Sequence, residues 1–289
     1  MSALLAGGTL RHLVGDAAWT ALDAVAEALA ADRLVPYLGP GLLEIEGPAA
    51  VPVLPEQVAR ELYRRSPTPS RIRTNMWAVA QYIESRRHRK TLRAFMADIF
   101  DQPRRPTALH RALAARPLTM IVDSWYDGTM RAALLEAGRR DFVDLQGVSR
   151  AAIAAEDWFE AYGPDGRPAP AEAPLVLYSP HGGILPSGNV LVADSDYVEV
   201  LTEIDIQTPI PAIVRDRRAT VGFLFLGCRF HDQMLRTYAR QIIKRSAGPH
   251  YAVAAADGLT VNERKFLAAE AITLIDLPLA EAAARLAVL

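Results

Sequence analysis

Four short stretches carry residue types that could do chemistry. They are Gly39-Pro40-Gly41, Asp123-Ser124-Trp125-Tyr126-Asp127, His181-Gly182-Gly183, and Gly227-Cys228-Arg229-Phe230-His231-Asp232. In the first, the apolar run from Leu34 to Leu38 stops abruptly at two glycines. There the backbone can turn sharply, and a phosphate can approach bare N–H groups without meeting a Cβ. A turn with no ligand is the other reading, and Pro40 removes one of the donors a phosphate would use. His181 follows an apolar run and precedes two glycines. It is placed either as a base with a near-neutral pKa or as a structural imidazole bonding the loop backbone. Asp127 could contact a ligand amide or cap the helix after it. Asp232 reads first as a helix start, His110 as packing between helix and sheet, and Cys228, with no partner base nearby, as a buried inert thiol. Trp125 is either core or pocket wall.

The elements that must position these residues alternate along the chain. Trp19, Leu22, Val25 and Leu29 recur at helical spacing over 16–31, with Asp16 as the expected cap. A strand follows at 34–38 and a helix at about 56–66, after Pro52 and Pro55. Leu92, Phe95, Met96 and Ile99 mark one face of a helical block from about 75 to 115, broken by Pro103 and Pro106, before Thr107 opens the short helix bearing His110. Further strands are expected at 118–123, 142–145, 175–178, 189–193, 221–226, 250–254 and 272–276. Helices are expected at 127–138, from Asp194 or Ser195, at 210–218 and at 231–245. This alternation predicts an α/β fold, Rossmann-like and doubly wound, with a mostly parallel sheet between two helical layers. The chain reads as a single domain over 1–289 with a helical insertion at 70–115. An Ala/Pro-rich excursion occupies 147–173, partly helical around Asp157-Trp158-Phe159. In such a sheet, ligands collect at the carboxyl ends of the strands, where all four chemical stretches fall.

Composition sets bounds. The chain has 289 residues, 51% of them hydrophobic, and a formal net charge of −1. No global field favours nucleic acid or anionic lipid. The one basic run, Arg86-Arg87-His88-Arg89-Lys90, reads as a solvated connector. A single cysteine excludes an intrachain disulfide and a multi-cysteine zinc site, and a free thiol suits a reducing cytoplasm. No signal-peptide pattern and no membrane-length apolar run are seen, so a cytoplasmic protein without membrane contact is expected.

The order and spacing of the motifs resemble a sirtuin-like NAD-binding domain of the compact bacterial type without a zinc module. That family opens with a strand into Gly-Ala-Gly-x-Ser, which Gly39-Pro40-Gly41-Leu42-Leu43 resembles. Its His-x-x-Leu helix corresponds to His110-Arg111-Ala112-Leu113. Its Thr-Asn-Tyr-Asp segment falls at Ser124-Trp125-Tyr126-Asp127, and its His-Gly strand end at His181-Gly182. A helix with Asp-Tyr follows at Asp196-Tyr197, and the final Gly-Tyr-Ser signature falls at Gly227-Cys228-Arg229 with Asp232 beyond. The similarity spans about residue 18 to the C-terminus.

The resemblance implies an adenine nucleotide, NAD or a relative, as ligand, with no metal. It implies Gly39, Gly41, Ser124, Trp125, Gly182, Gly227 and Arg229 as cofactor-binding positions, and His181 and Asp127 as candidate catalytic residues. Self-association or a protein partner is implied as well. The departures bear on turnover. In the family the Asn of Thr-Asn-Tyr-Asp helps position the nicotinamide ribose and any attacking water, and the His of His-Gly acts as base towards a ribose hydroxyl. Trp125 stands where that Asn belongs, and an indole offers one donor and a large apolar plate in place of an amide. Pro40, Leu43 and Arg229 replace small or hydroxyl residues, although arginine can still hold phosphate bidentately. The expectation is a nucleotide-binding protein with a degraded catalytic motif, a pseudoenzyme. An NAD glycohydrolase of the bacterial-defence type, using His181, is the alternative. Protein deacylation is disfavoured, because sirtuin deacylases carry a four-cysteine zinc module.

Overall fold

The computed structural model describes residues 9–149, 157–204 and 209–288. In chain order its elements are β1 (His12–Leu13), α1 (Gly15–Ala30), β2 (Leu34–Leu38), α2 (Pro55–Arg65), α3 (Met76–Phe100), α4 (Ala108–Ala115), β3 (Met120–Asp123), α5 (Thr129–Glu136), β4 (Phe142–Gly147), β5 (Phe159–Tyr162), β6 (Leu175–Ser179), β7 (Gly182–Gly183), β8 (Asn189–Val190), α6 (Asp194–Ile204), α7 (Ala212–Arg218), β9 (Gly222–Leu226), α8 (Gln233–Ile243), β10 (His250–Val253), α9 (Val261–Ala269), β11 (Ile272–Ile275) and α10 (Leu279–Val288). A 3-10 turn covers Pro40–Glu44.

The main sheet runs β1-β11-β10-β9-β2-β3-β6-β4-β5 among the described residues. All its pairings are parallel except β4 with β5. The chain places β3, β4, β5 and β6 on one side of β2, with β6 inserted between β3 and β4, then crosses to the other side at β9. That reversal creates a switch point at the carboxyl ends of β9, β2 and β3, with β6 next in line. These central strands are apolar at nearly every position because both faces are covered. Val35, Tyr37, Val122, Phe223 and Phe225 point into one core, shared with the buried faces of α2, α3 and α8. Leu34, Leu38, Ile121, Leu224 and Leu226 point into the other, under α1, α4, α5 and α10.

Local chemistry starts and stops the helices. Thr107 and Thr260 form reciprocal caps with His110 and Glu263, and Asp232 accepts from the Met234 N–H at the head of α8. Asp16 sits inside the first turn of α1, where it faces the positive end of the helix dipole; the cap position belongs to Val14.

Several local expectations are corrected. Trp158 and Phe159 are not helical: Phe159–Tyr162 is a strand, the antiparallel edge beside β4. Its Phe-Glu-Ala-Tyr alternation suits a half-buried edge. Residues 150–156 of that excursion lie outside the described residues. The strand expected at 189–193 shrinks to Asn189–Val190, which among the described residues pairs with Gly182–Gly183 alone. The basic run is not simply solvated. α3 kinks at His88, whose φ is +68°, and the kink turns Arg89 inward while Arg86, Arg87, His88 and Lys90 stay exposed. Arg89 pairs with Asp196 at 2.8 Å and Glu84 at 3.1 Å, and donates to the Val190 carbonyl. A buried guanidinium needs such partners.

Candidate functional site

The ends of β9, β2, β3 and β6 are adjacent, and a small cavity opens where they meet. Its wall includes Tyr37, Pro40, Val53, Leu54, Pro55, Ser124, Trp125, His181, Cys228, Arg229 and Phe230. Trp125 and His181 therefore share one wall. The cavity volume is only about 20 Å³, on the order of one water. Pockets for small organic ligands run to roughly 300 Å³ or more.

Three features fill it. The first is Trp125, buried to 3% exposure, whose indole N–H donates to the Pro52 carbonyl at 2.8 Å. Its ring packs on Phe100 and Tyr126. The second is the irregular segment joining the 3-10 turn to α2, which lays Val53, Leu54 and Pro55 over the crevice. Gln57 holds its end by accepting from the Val53 and Leu54 N–H groups. The third is the loop after β9, bound to α9 through Glu263, which accepts from Arg229 Nε and from the Phe230 N–H, each at 2.9 Å. Those bonds, with the Thr260 contacts, bring the Glu263 carboxyl down to about 2 in spite of its burial.

The glycines of the site do mechanical work. The Gly39 N–H donates to the Leu226 carbonyl at 2.8 Å and the Gly41 N–H to the Gly227 carbonyl at 2.9 Å. A Cβ on Gly39 would lie 2.5 Å from the Gly227 oxygen, and one on Gly227 (φ +68°) 2.6 Å from the Leu42 nitrogen. Two strand-end turns press directly on one another. In this arrangement both glycine N–H groups are spent on backbone carbonyls, as in the ligand-free turn. Gly182 plays the same part against β8, since a Cβ there would meet the Asn189 carbonyl at 2.3 Å. Ser124 donates its hydroxyl to the Leu38 carbonyl at 2.7 Å and so ties β3 to β2.

His181 is 2% exposed, and its Nδ1 lies 2.8 Å from the Tyr197 hydroxyl. Tyr238 packs against it with the rings tilted by 48° and their centroids 4.6 Å apart. Burial among tyrosines disfavours the imidazolium and lowers the His181 pKa to about 3. The Tyr197 hydroxyl also lies 3.3 Å from the Leu191 carbonyl. Donation to that carbonyl leaves Nε2 as the basic atom, and donation to Nδ1 leaves the proton on Nε2. Either way the imidazole is a weak base at neutral pH. Burial also raises the Cys228 thiol, as expected of an inert cysteine.

Asp127 is not in this cavity. Its carboxylate accepts from the Thr129 N–H at 2.8 Å at the head of α5, and the residue lines a separate cavity. Burial pushes Asp127 and neighbouring Asp123 upward, and the charge of Asp127 adds to the rise at Asp123. Ser124, Trp125, His181 and Arg229 are thus brought together, the glycines stand behind them as joints, and Asp127 points elsewhere. Sequence reasoning missed Tyr197 as the partner of His181, and Val53–Pro55 as the cover. The Asp196-Tyr197 pair was visible as a motif, but its reach to the imidazole depends on how α6 packs. Among the described residues no three His, Cys, Asp or Glu side chains converge on a metal position, and no helix is long and apolar enough to cross a membrane.

A mostly parallel α/β sheet with its crevice at the switch point, lined by the Gly39–Gly41 turn and the His181-Gly182 strand end, defines a Rossmann-like doubly wound domain. The chain belongs to the SIR2-like domain family, whose model matches residues 119–275, more than half its length. No curated protein matches it. In this arrangement the crevice is nearly full and the N–H groups of Gly39 and Gly41 are committed, so the crevice would have to open to admit NAD.

Proposed function

We propose that this SIR2-like domain binds an adenine nucleotide, NAD or a close relative, without hydrolysing it at an enzymatic rate. Domains of the family generally bind NAD, and the crevice lies where such sheets take nucleotides. Entry requires the Val53–Pro55 segment to lift from the cavity. The observation that carries the reading is the indole of Trp125, held by Pro52 in the wall it shares with His181. An apolar plate there supplies neither the amide donors nor the space that a placed water needs. A base whose pKa is about 3 adds little driving force. In this reading binding acts through contact with a protein partner or a second copy of the chain in the cytoplasm, and uses no metal.

Two measurements on the purified protein test it. Millimolar NAD, ADP-ribose or ATP is expected to raise the melting temperature, because a ligand that binds only the folded state stabilises it. Nicotinamide release from NAD is expected to stay at background. The competing reading, an NAD glycohydrolase with His181 as base, draws support from that residue's place in the crevice wall. Release at an ordinary enzymatic rate, abolished by His181→Ala, would establish it instead.

A further inference from the structure

We infer that the second cavity, between the 3-10 turn and the α3–α4 connector, is a binding site for a small ligand bearing phosphate or carboxylate oxygens. This inference does not rest on the nucleotide reading of the crevice. The cavity holds about 450 Å³, within the range of small-molecule pockets. Leu43, Val51 and Phe100 supply an apolar wall, and Arg104, Arg105 and Arg111 supply the charge.

The cations are held ready. Arg104 donates through Nε to the Asp127 carbonyl at 3.1 Å, and this is its one hydrogen bond among the described residues. Its Nη2 has no acceptor although it is buried, a costly state for a charged donor. Arg105 is exposed and has no carboxylate within pairing distance among the described residues. Arg111 reaches Glu136 only at 3.6 Å. The prolines at 103 and 106 fix the backbone on either side of Arg104 and Arg105, which lowers the entropy lost when a ligand is gripped.

The carboxylates on the same wall are already committed. Glu46 accepts from the Ala108 N–H at the head of α4, Asp127 accepts from Thr129 and feels Arg104, and Glu136 faces Arg111. With those carboxylates engaged, the guanidinium groups of Arg104 and Arg105, backed by an apolar wall, suit planar or tetrahedral oxyanions.

Calorimetric titration with inorganic phosphate and, separately, with succinate at low ionic strength tests the site. Saturable binding of at least one probe is expected. Arg104→Gln should weaken it about tenfold or more, the effect of losing one charge-assisted contact. Arg105→Gln, at an exposed position that leaves the fold intact, should weaken it several-fold. Tighter phosphate assigns a phosphoryl ligand, and tighter succinate a carboxylate. Absence of binding by both probes, or binding unchanged in both variants, overturns the inference. Should Arg104→Gln fail to fold, the Arg105 variant decides alone. Phosphate binding that depends on these arginines in a protein that ignores adenine nucleotides would leave this site standing and remove the crevice reading. Nucleotide binding without it would do the reverse.

Discussion

At the scale of single residues, Trp125 and His181 set what the crevice can do. The indole is at once core, hydrogen-bond donor and plug. Its replacement by the small amide that the family motif carries separates these roles. Trp125→Asn is expected to cost roughly 3 kcal/mol of stability, because a large buried ring is lost and its neighbours relax only in part. The same change enlarges the cavity beside His181 and frees the Pro52 carbonyl. NAD affinity, measured calorimetrically on the folded variant, should therefore rise at least several-fold. An unchanged affinity would show that the ring does not stand in the ligand's way.

At the scale of elements, the crevice depends on how closely two strand-end turns approach. Gly227 combines a left-handed backbone with contacts that leave no room for a Cβ. Gly227→Ala is expected to lose roughly 2 kcal/mol or more, read as a fall in the urea midpoint, since both strain and backbone displacement are imposed. The kink in α3 is a second such device. It trades regular helix at His88 for a buried ion pair that links α3 to α6, where Asp196 also accepts from the Val192 and Ala193 N–H groups. Arg89→Met should cost about 3 kcal/mol by stranding that carboxylate. Combining it with Asp196→Asn should recover part of the loss in a double-mutant cycle.

At the scale of the molecule, buried ionisable groups couple stability to pH. The His181 imidazole is neutral in the native state, with its pKa near 3, whereas in the unfolded chain it titrates near the usual value. Below that unfolded value the unfolded chain takes up a proton that the native one refuses. The stability contribution is therefore complete above about pH 6.5 and is lost as pH falls towards the native value. His110, lowered by burial to about 4, acts in the same direction. Asp144, raised by burial to about 7, acts in the opposite one, because the native state gains from protonating it as pH falls. A difference measurement isolates His181: the stability gap between the wild type and His181→Asn should shrink by roughly 2 kcal/mol between pH 7 and pH 5. A constant gap would mean that the imidazole charges normally in the folded protein.

The amino-acid sequence by itself determined the alternation of strands and helices, the doubly wound class, the caps at Thr107 and Asp232, and the family resemblance, because each follows from local periodicity or from motifs in order. It misread Trp158-Phe159 as helical, since a short apolar-polar run becomes a strand only when a neighbour such as β4 offers its edge. It could not show that the glycine donors near Pro40 are consumed, that Tyr197 reaches His181, or that Val53–Pro55 covers the cavity. Those facts depend on distances between segments far apart in the chain, and only the packed sheet and its covering helices set such distances.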